Sequence, residues 1–346
     1  MNANETNAEN VTRLRRMLRV VVAFWRRPIS AEPLAMCRIV TALTVLIGSL
    51  LGIAPNLHWY WSPEGVYPSE VADQYLKNSG HISLLRSPEN IPLVSAFIPQ
   101  AVVDAWRDVT DNMTAVIGLF SVWMLALVFV AVGLYTRTST IVAWLLALSF
   151  HQRMIYVLNG GDDVALQLMF YLMLAPAGAV WSIDSLRRRW KTERVQSAVQ
   201  HRNIALAPVT IAPWSVRLMQ IQLCCIYLVT GFSKMNVAET NDYLTGEAVY
   251  WALNDICLAR WSYAQLPVPM WICRLLSWGT LVFEFGFIPF VMFRRLRPWL
   301  LWGGVAFHVG ILLTMEVGWF SQYTLCFYPL FLTAPSVRQF VARITR

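Results

Sequence analysis

Lys234 closes the stretch Tyr227-Leu-Val-Thr-Gly231-Phe-Ser-Lys234-Met235, the end of an apolar run of membrane-spanning character. An ammonium near hydrocarbon is costly unless it snorkels to the interface, finds a partner or serves a function. Ionisable residues within spans accordingly mark substrate pathways and proton relays. On a helix turning about 100° per residue, Gln220, Tyr227, Gly231 and Lys234 project to within about 60° of one another. One polar stripe therefore ends at Lys234. A third apolar stretch adds His151, Arg153 and Tyr156 and exits through Asn159-Gly-Gly-Asp162-Asp163, while later stretches contribute Arg274, Glu284, His308 and Glu316. His151 and Arg153 lie about 200° apart on a helix and cannot both face one pocket. Gln220, Arg38, Arg217 and Arg274 read individually as buried hydrogen-bonding groups that fix helix packing. Lys234, beside the Asn-Gly-Gly-Asp turn, reads as functional. It is expected to stand without a buried partner, so that it is chemically required and structurally dispensable. Asp162 is expected to face the inter-helix pocket, with helix capping as the competing role.

The elements that must position these residues are set by composition. Hydrophobic residues make up 57% and charged residues 14%, and the mean hydropathy is +0.48. That balance is far from a soluble globular one and predicts an all-α, polytopic integral membrane helical bundle whose first partner is the lipid bilayer. Stretches of about 20 residues, enough to span a bilayer, lie near Pro33–Ile53, Met113–Gly133, Thr138–Leu158, Asp163–Trp181, Pro213–Met235, Trp271–Phe293, Trp299–Glu316 and Gly318–Ala334. This predicts about eight transmembrane helices. Only the Glu316-Val-Gly318 turn separates the last two, so seven with one broken helix stays open.

The formal charge of +8 implies no nucleic-acid partner, because the basic residues cluster between apolar stretches and orient the chain. With the N-terminus cytoplasmic, Arg13 to Arg27, Arg137, Arg187 to Arg202, Arg294 to Arg297 and Arg338 to Arg346 fall inside. Only Lys77, Arg86, Arg107 and Arg260 fall outside. Both termini are expected to be cytoplasmic and the protein to reside in the cell (inner) membrane.

Residues 1–32 read as a cytoplasmic segment. Leu14, Met17, Leu18, Val21, Val22 and Trp25 share one helical face with Arg15, Arg16, Arg19, Arg26 and Arg27 opposite, the pattern of an interfacial amphipathic helix. Residues 33–335 form the membrane domain, in which the long, proline-interrupted outer segment 54–112 reads as a folded cap. Residues 336–346 form a cytoplasmic tail. No cleavable signal peptide is expected at the N-terminus. Four of the six cysteines lie in apolar stretches. Cys257 and Cys273 map to the outer side, where a disulfide is allowed. No His-Glu-x-x-His or Cys-x-x-Cys spacing occurs, and no metal is expected.

The order of several short motifs carries a resemblance. Trp61-Ser-Pro-Glu-Gly65-Val-Tyr-Pro68 stands in the first outer loop, Asn159-Gly-Gly-Asp162 follows the third stretch, and Pro176-x-Gly178-x-x-Trp181-Ser-x-Asp184 closes the fourth. Tyr227-x-x-x-Gly231-x-x-Lys234 follows in the fifth, and then Glu284 and His308. Over about residues 30–335 this resembles the HTTM (horizontally transferred transmembrane) family, which is similar to the membrane portion of vitamin K-dependent γ-carboxylases. In those carboxylases a lysine in a Gly-x-x-Lys context is the base that activates vitamin K hydroquinone, whose oxygenation drives deprotonation of a glutamate γ-carbon for attack on carbon dioxide. The resemblance assigns that role to Lys234. A base must shed its proton near neutral pH, and desolvation disfavours the ammonium. Asn159, Asp162, Tyr227, Gln220, His308, Glu284 and Tyr156 are the accompanying candidates for a substrate or quinone pocket.

The sequence ends at Arg346, where the carboxylases continue into a large extracytoplasmic domain. The expected activity is therefore lipoquinone-linked modification of an outer-side substrate, such as a secreted peptide or protein, rather than glutamate carboxylation itself. A vitamin K-type hydroquinone or another lipoquinone is the expected cofactor. The alternative is a non-catalytic membrane carrier or an accessory factor for a secreted partner.

Overall fold

Helix ends follow from local chemistry. The uncharged run Met113–Val132 starts where the Asn112 side chain accepts the Thr114 N–H at 2.8 Å, and stops at Gly133, whose φ of 69° is left-handed. Glycine adopts that conformation without penalty and releases the helix. The computed structural model describes residues 15–16, 18–79, 83–85, 97, 99–197, 208–236, 242–262 and 264–344.

Among the described residues the regular structure is helical apart from one two-residue strand pair and an isolated bridge between Ala259 and Met315. Residues 18–26 form α1. There follow α2 (Glu32–Gly48), α3 (Leu57–Trp61), α4 (Ser69–Ser79), α5 (Gln100–Thr110), α6 (Met113–Val132), α7 (Thr136–Arg153), α8 (Gly160–Leu174) and α9 (Ile183–Ser197). Then come α10 (Trp214–Asn236), α11 (Asp242–Thr245), α12 (Glu247–Asn254), α13 (Met270–Met292), α14 (Arg297–Thr314), α15 (Phe320–Leu325) and α16 (Ala334–Ile344). Strand β1 (Ile29–Ser30) pairs antiparallel with β2 (Thr210–Ile211), Ile29 opposite Ile211.

Two packed groups make the body. In the first, α2, α6 and α7 bury Trp123 stacked on Phe150 at 5.2 Å, with Phe120 and Trp61 against the same ring. In the second, α10, α13 and α14 pack around Tyr227 and Phe287. The segment after α14 joins the two. Trp319 and Tyr323 lie against Gly48, Cys326 Sγ reaches Thr44 at 3.5 Å, and Arg338 pairs with Glu32 at 2.8 Å. The chain thus runs back beside α2 from its last residue to its first.

Four helices are long and apolar enough to cross a membrane: Glu32–Trp61, Met113–Val132, Trp214–Met235 and Met270–Met292. Four others that the sequence predicts as spans differ for local reasons. Helix α7 opens on Thr136-Arg-Thr-Ser-Thr140 and ends on His151-Gln-Arg153, and α8 stops at Leu174, short of Pro176. Helix α14 is diluted by Arg297, Pro298 and His308. Gly318–Ala334 is not one helix but α15 followed by a 3₁₀ turn, Tyr328–Phe331, containing Pro329, which lacks the N–H a continuing helix needs.

On α1 the apolar residues Leu18, Val21, Val22 and Trp25 are exposed together, as an interfacial helix requires; Leu14 and Met17 lie outside the described residues. In segment 54–112, read from the sequence as an outer cap, α4 and α5 are the longest helices, and residues 80–82, 86–96 and 98 lie outside the described residues. Cys257 and Cys273 are both free, one exposed and one buried, so the disulfide allowed by the sequence is not formed.

Candidate functional site

Helices α10 and α13 run antiparallel and close on each other at Gly231, where a Cβ would lie 3.2 Å from the Phe285 ring. That approach sets Lys234 on α10 against Glu284 on α13, Nζ donating to Oε1 in an ion pair. The Thr230 hydroxyl lies 3.2 Å from the same oxygen, and the Tyr243 ring stands 5.8 Å from Nζ. The pair is asymmetric: the Lys234 side chain is 22% exposed and that of Glu284 only 4%. Glu284 Oε2 is buried with no hydrogen-bond partner among the described residues. The expectation of an unpaired Lys234 is corrected here. Periodicity shows which face a residue takes but not what a helix fifty residues later presents to it.

One to two turns deeper, Tyr227 OH lies 2.8 Å from His308 Nε2 and 2.9 Å from Tyr328 OH. His308 Nδ1 lies 3.4 Å from Ser321 Oγ. The rings of Phe283 and Phe287 cover Tyr227, which like His308 is fully buried. Gly304 makes room for the Tyr328 hydroxyl, which a Cβ there would strike. These groups can each donate and accept, so a proton has a hydrogen-bonded route from one side of His308 to the other, the direction depending on its tautomer.

A separate cavity of 320 Å³ lies between the end of α2, the start of α8 and α15, and its lining includes Tyr60, Trp61, His151, Asn159, Asp162 and Tyr323. His151 is buried and its Nδ1 has no partner among the described residues. Asp162 takes both roles weighed for it. Its Oδ2 accepts the Asn159 N–H at 3.0 Å while Asn159 Oδ1 accepts the Gly161 N–H at 2.8 Å, a reciprocal cap on α8, and the same residues line the cavity. Gly161 lets Phe320 pass, and Gly318, at φ 59°, lets the Asn159 amide in. Lys234 lines neither this cavity nor the one at the opposite end of the bundle.

The remaining candidates go elsewhere. Gln220 donates to Leu330 O at 2.7 Å and accepts from Arg217 at 2.8 Å, tying α10 to the 3₁₀ turn. The stripe thus faces the bundle interior throughout, but its Gln220 end serves packing. Tyr156 is 70% exposed, its ring against Tyr67 and Tyr75. His151 and Arg153 do face different ways: Arg153 donates to Tyr67 O at 2.9 Å. Arg38 is fully buried and donates to Ala177 O at 2.8 Å and Trp181 O at 2.5 Å, and Arg274 donates to Thr245 O at 3.1 Å, the packing roles read from the sequence.

The model of the HTTM domain matches residues 106–335, about two thirds of the chain. This chain belongs to the HTTM family. Comparison with curated proteins and with solved structures gives no match. HTTM is a membrane family, which agrees with the apolar helices. The matched residues begin later than the resemblance read from the motifs, leaving Trp61–Pro68 and Arg38 outside, while Asn159, Asp162, Gln220, Tyr227, Lys234, Glu284 and His308 all fall within the HTTM segment. Thr230, Tyr243, Ser321 and Tyr328 escaped the sequence reading. Thr230 stands one turn before Lys234 and was within reach of the helical periodicity. Tyr328 carried no signal, because its turn brings it to Tyr227 only through the fold.

The motif Pro176-x-Gly178-x-x-Trp181-Ser-x-Asp184 that closes the fourth apolar stretch proves to be a clamp. Asp184 Oδ1 accepts the Tyr135 N–H at 3.0 Å, and Oδ2 accepts the Thr136 N–H and hydroxyl at 2.7 Å each. Burial alone would push the Asp184 carboxyl up. The bonds from Thr136 and Tyr135, with the charge of Arg188, outweigh it and hold the carboxyl below its usual value of 3.8.

Proposed function

We propose that this HTTM protein lies in the cell (inner) membrane with both termini cytoplasmic, crosses it eight times, and carries out lipoquinone-linked modification of an outer-side substrate at the Lys234–Glu284 pair. The single observation that carries this reading is the asymmetry of that pair. A partly open lysine is bound to a carboxylate that is buried and short of one hydrogen bond.

A paired ammonium is not a base, so the pair must first rearrange. Both charges lose solvation where they stand, an effective penalty of several kcal/mol per ion. Moving the proton from Nζ to Oε1 removes both charges at once. Lys234 is then a neutral amine facing the open side, able to take a phenolic proton. Glu284 Oε2 is left to hold a second hydroxyl, and Tyr227 and His308 lie one to two turns deeper. These groups fit a hydroquinone ring; a vitamin K-type hydroquinone or other lipoquinone, when bound, would supply the reducing equivalents. The substrate modified is then a secreted peptide or protein.

With dissolved oxygen as the electron acceptor, Lys234→Met and Glu284→Gln should each lower hydroquinone oxidation in proteoliposomes by about 10²-fold or more, the scale of general-base catalysis, while mass spectrometry still finds quinone co-purifying. Quinone retention with unchanged turnover in both variants would exclude the pair. One observation favours the second reading, a carrier or accessory factor: Lys234 lines neither described cavity. Purified protein that holds only bulk phospholipid and oxidises no hydroquinone would decide for it.

A further inference from the structure

At the end of the bundle where β1 and α16 lie, a cleft of 630 Å³ opens between the start of α14, the turn after the Tyr328–Phe331 3₁₀ helix, and α16. Its mouth carries Arg294, Arg297 and Arg343, and its walls include Leu301, Val305 and Phe331. No aspartate or glutamate lines it, and none pairs with these three arginines among the described residues. Nearby Arg338, by contrast, is matched to Glu32. Arg297 is desolvated by burial first and feels the like charge of Arg294 second. An uncompensated cationic cluster of this kind is relieved by an anion.

The depth of the cleft says which anion. Trp299 and Trp302, exposed by 78% and 70%, stand beside the arginines, and tryptophan collects at the membrane–water interface. The arginines therefore sit at headgroup level and the apolar wall beneath them at acyl-chain level. The volume lies within the range of small-molecule sites, roughly 300–1,000 Å³.

We propose that this cleft binds an anionic phospholipid, its phosphate on Arg294, Arg297 and Arg343 and one acyl chain along Leu301, Val305 and Phe331. Basic pockets between helices recognise lipid headgroups in this way. The site is independent of the Lys234–Glu284 reading.

The full chain, purified in detergent and exchanged into micelles doped with phosphatidylglycerol or phosphatidylcholine, can be examined by native mass spectrometry. Wild type should retain phosphatidylglycerol and not phosphatidylcholine. Arg294→Gln/Arg297→Gln/Arg343→Gln should retain roughly a hundredfold less, since each basic residue near the surface contributes about 1 kcal/mol to anionic-lipid attraction. Arg343→Gln alone, on the exposed last helix, keeps the test valid if the triple variant does not fold, and should lower retention about fivefold. Equal retention by the variants, equal retention of both lipids, or full displacement by millimolar inorganic phosphate, which would mark an anion site without a lipid, would each overturn the proposal.

Discussion

Lys234 and Glu284 are unequal partners, and the inequality makes a prediction at the scale of single residues. Lys234→Met leaves Glu284 buried at 4% exposure with nothing to offset its charge. Glu284→Gln leaves an ammonium whose stem can carry it to the open side. Breaking a buried pair costs about 3–5 kcal/mol when the orphaned charge stays buried, and far less when it escapes. Lys234→Met should therefore lower the thermal midpoint clearly, Glu284→Gln should lower it little, and the double variant Lys234→Met/Glu284→Gln should recover most of the loss. Equal destabilisation by both single variants would sink this account. The sequence showed Lys234 and Glu284 as separate oddities in apolar runs. Their joining depends on the antiparallel register of α10 and α13, set by Gly231 against Phe285, a contact between helices on which one helix's periodicity is silent.

Among the elements, the turn between α6 and α7 shows how a motif that carries a family resemblance can be architectural. Tyr135 sits at φ 45° without being glycine, a conformation that costs about 1 kcal/mol or more. What holds it is Asp184, brought from the start of α9 to cap α7 through three hydrogen bonds. Arg38 fixes the same junction from below through Ala177 O and Trp181 O. Because the Asp184 carboxyl is held below 3.8 in the folded protein, its contribution is complete above that pH and is lost as pH falls through the lower, folded value. Asp184→Ala should cost about 1.5–3 kcal/mol near neutral pH, the worth of hydrogen bonds to a charged group. That cost should shrink when the melting of both proteins is compared below pH 4. A penalty that is constant across this pH range would assign the loss to packing instead. The cap on α8 was legible only in part: capping by Asp162 or Asp163 was weighed, while Asn159, the N-cap that makes it reciprocal, was a local signal that went unread.

For the molecule as a whole, the apolar runs located the long helices, because burying about 20 apolar residues in hydrocarbon constrains sequence directly. The last stretch was less legible: Pro329 breaks it, yet it runs the length of α2 and buries Phe327, Tyr328 and Phe331. Its backbone can depart from a helix there because neighbours satisfy it, as Gln220 does for Leu330 O; irregular backbone within a membrane is tolerated where protein surrounds it. Since this segment reverses α14 and returns beside α2, its two ends belong to opposite faces, and α16 shares the face of β1. On the proposed topology, which rests on the arginine bias, that face is the cytoplasmic one, together with α9 and the cleft at Arg294. Native Cys257, free and exposed between α12 and α13, then lies outside. In intact cells a membrane-impermeant maleimide should label Cys257, with the signal lost in Cys257→Ser, whereas Arg189→Cys on that background should react only after permeabilisation. Labelling of Arg189→Cys in intact cells with Cys257 protected would invert the topology, carry the Lys234–Glu284 pair to the cytoplasmic side, and leave no outer-side substrate within its reach.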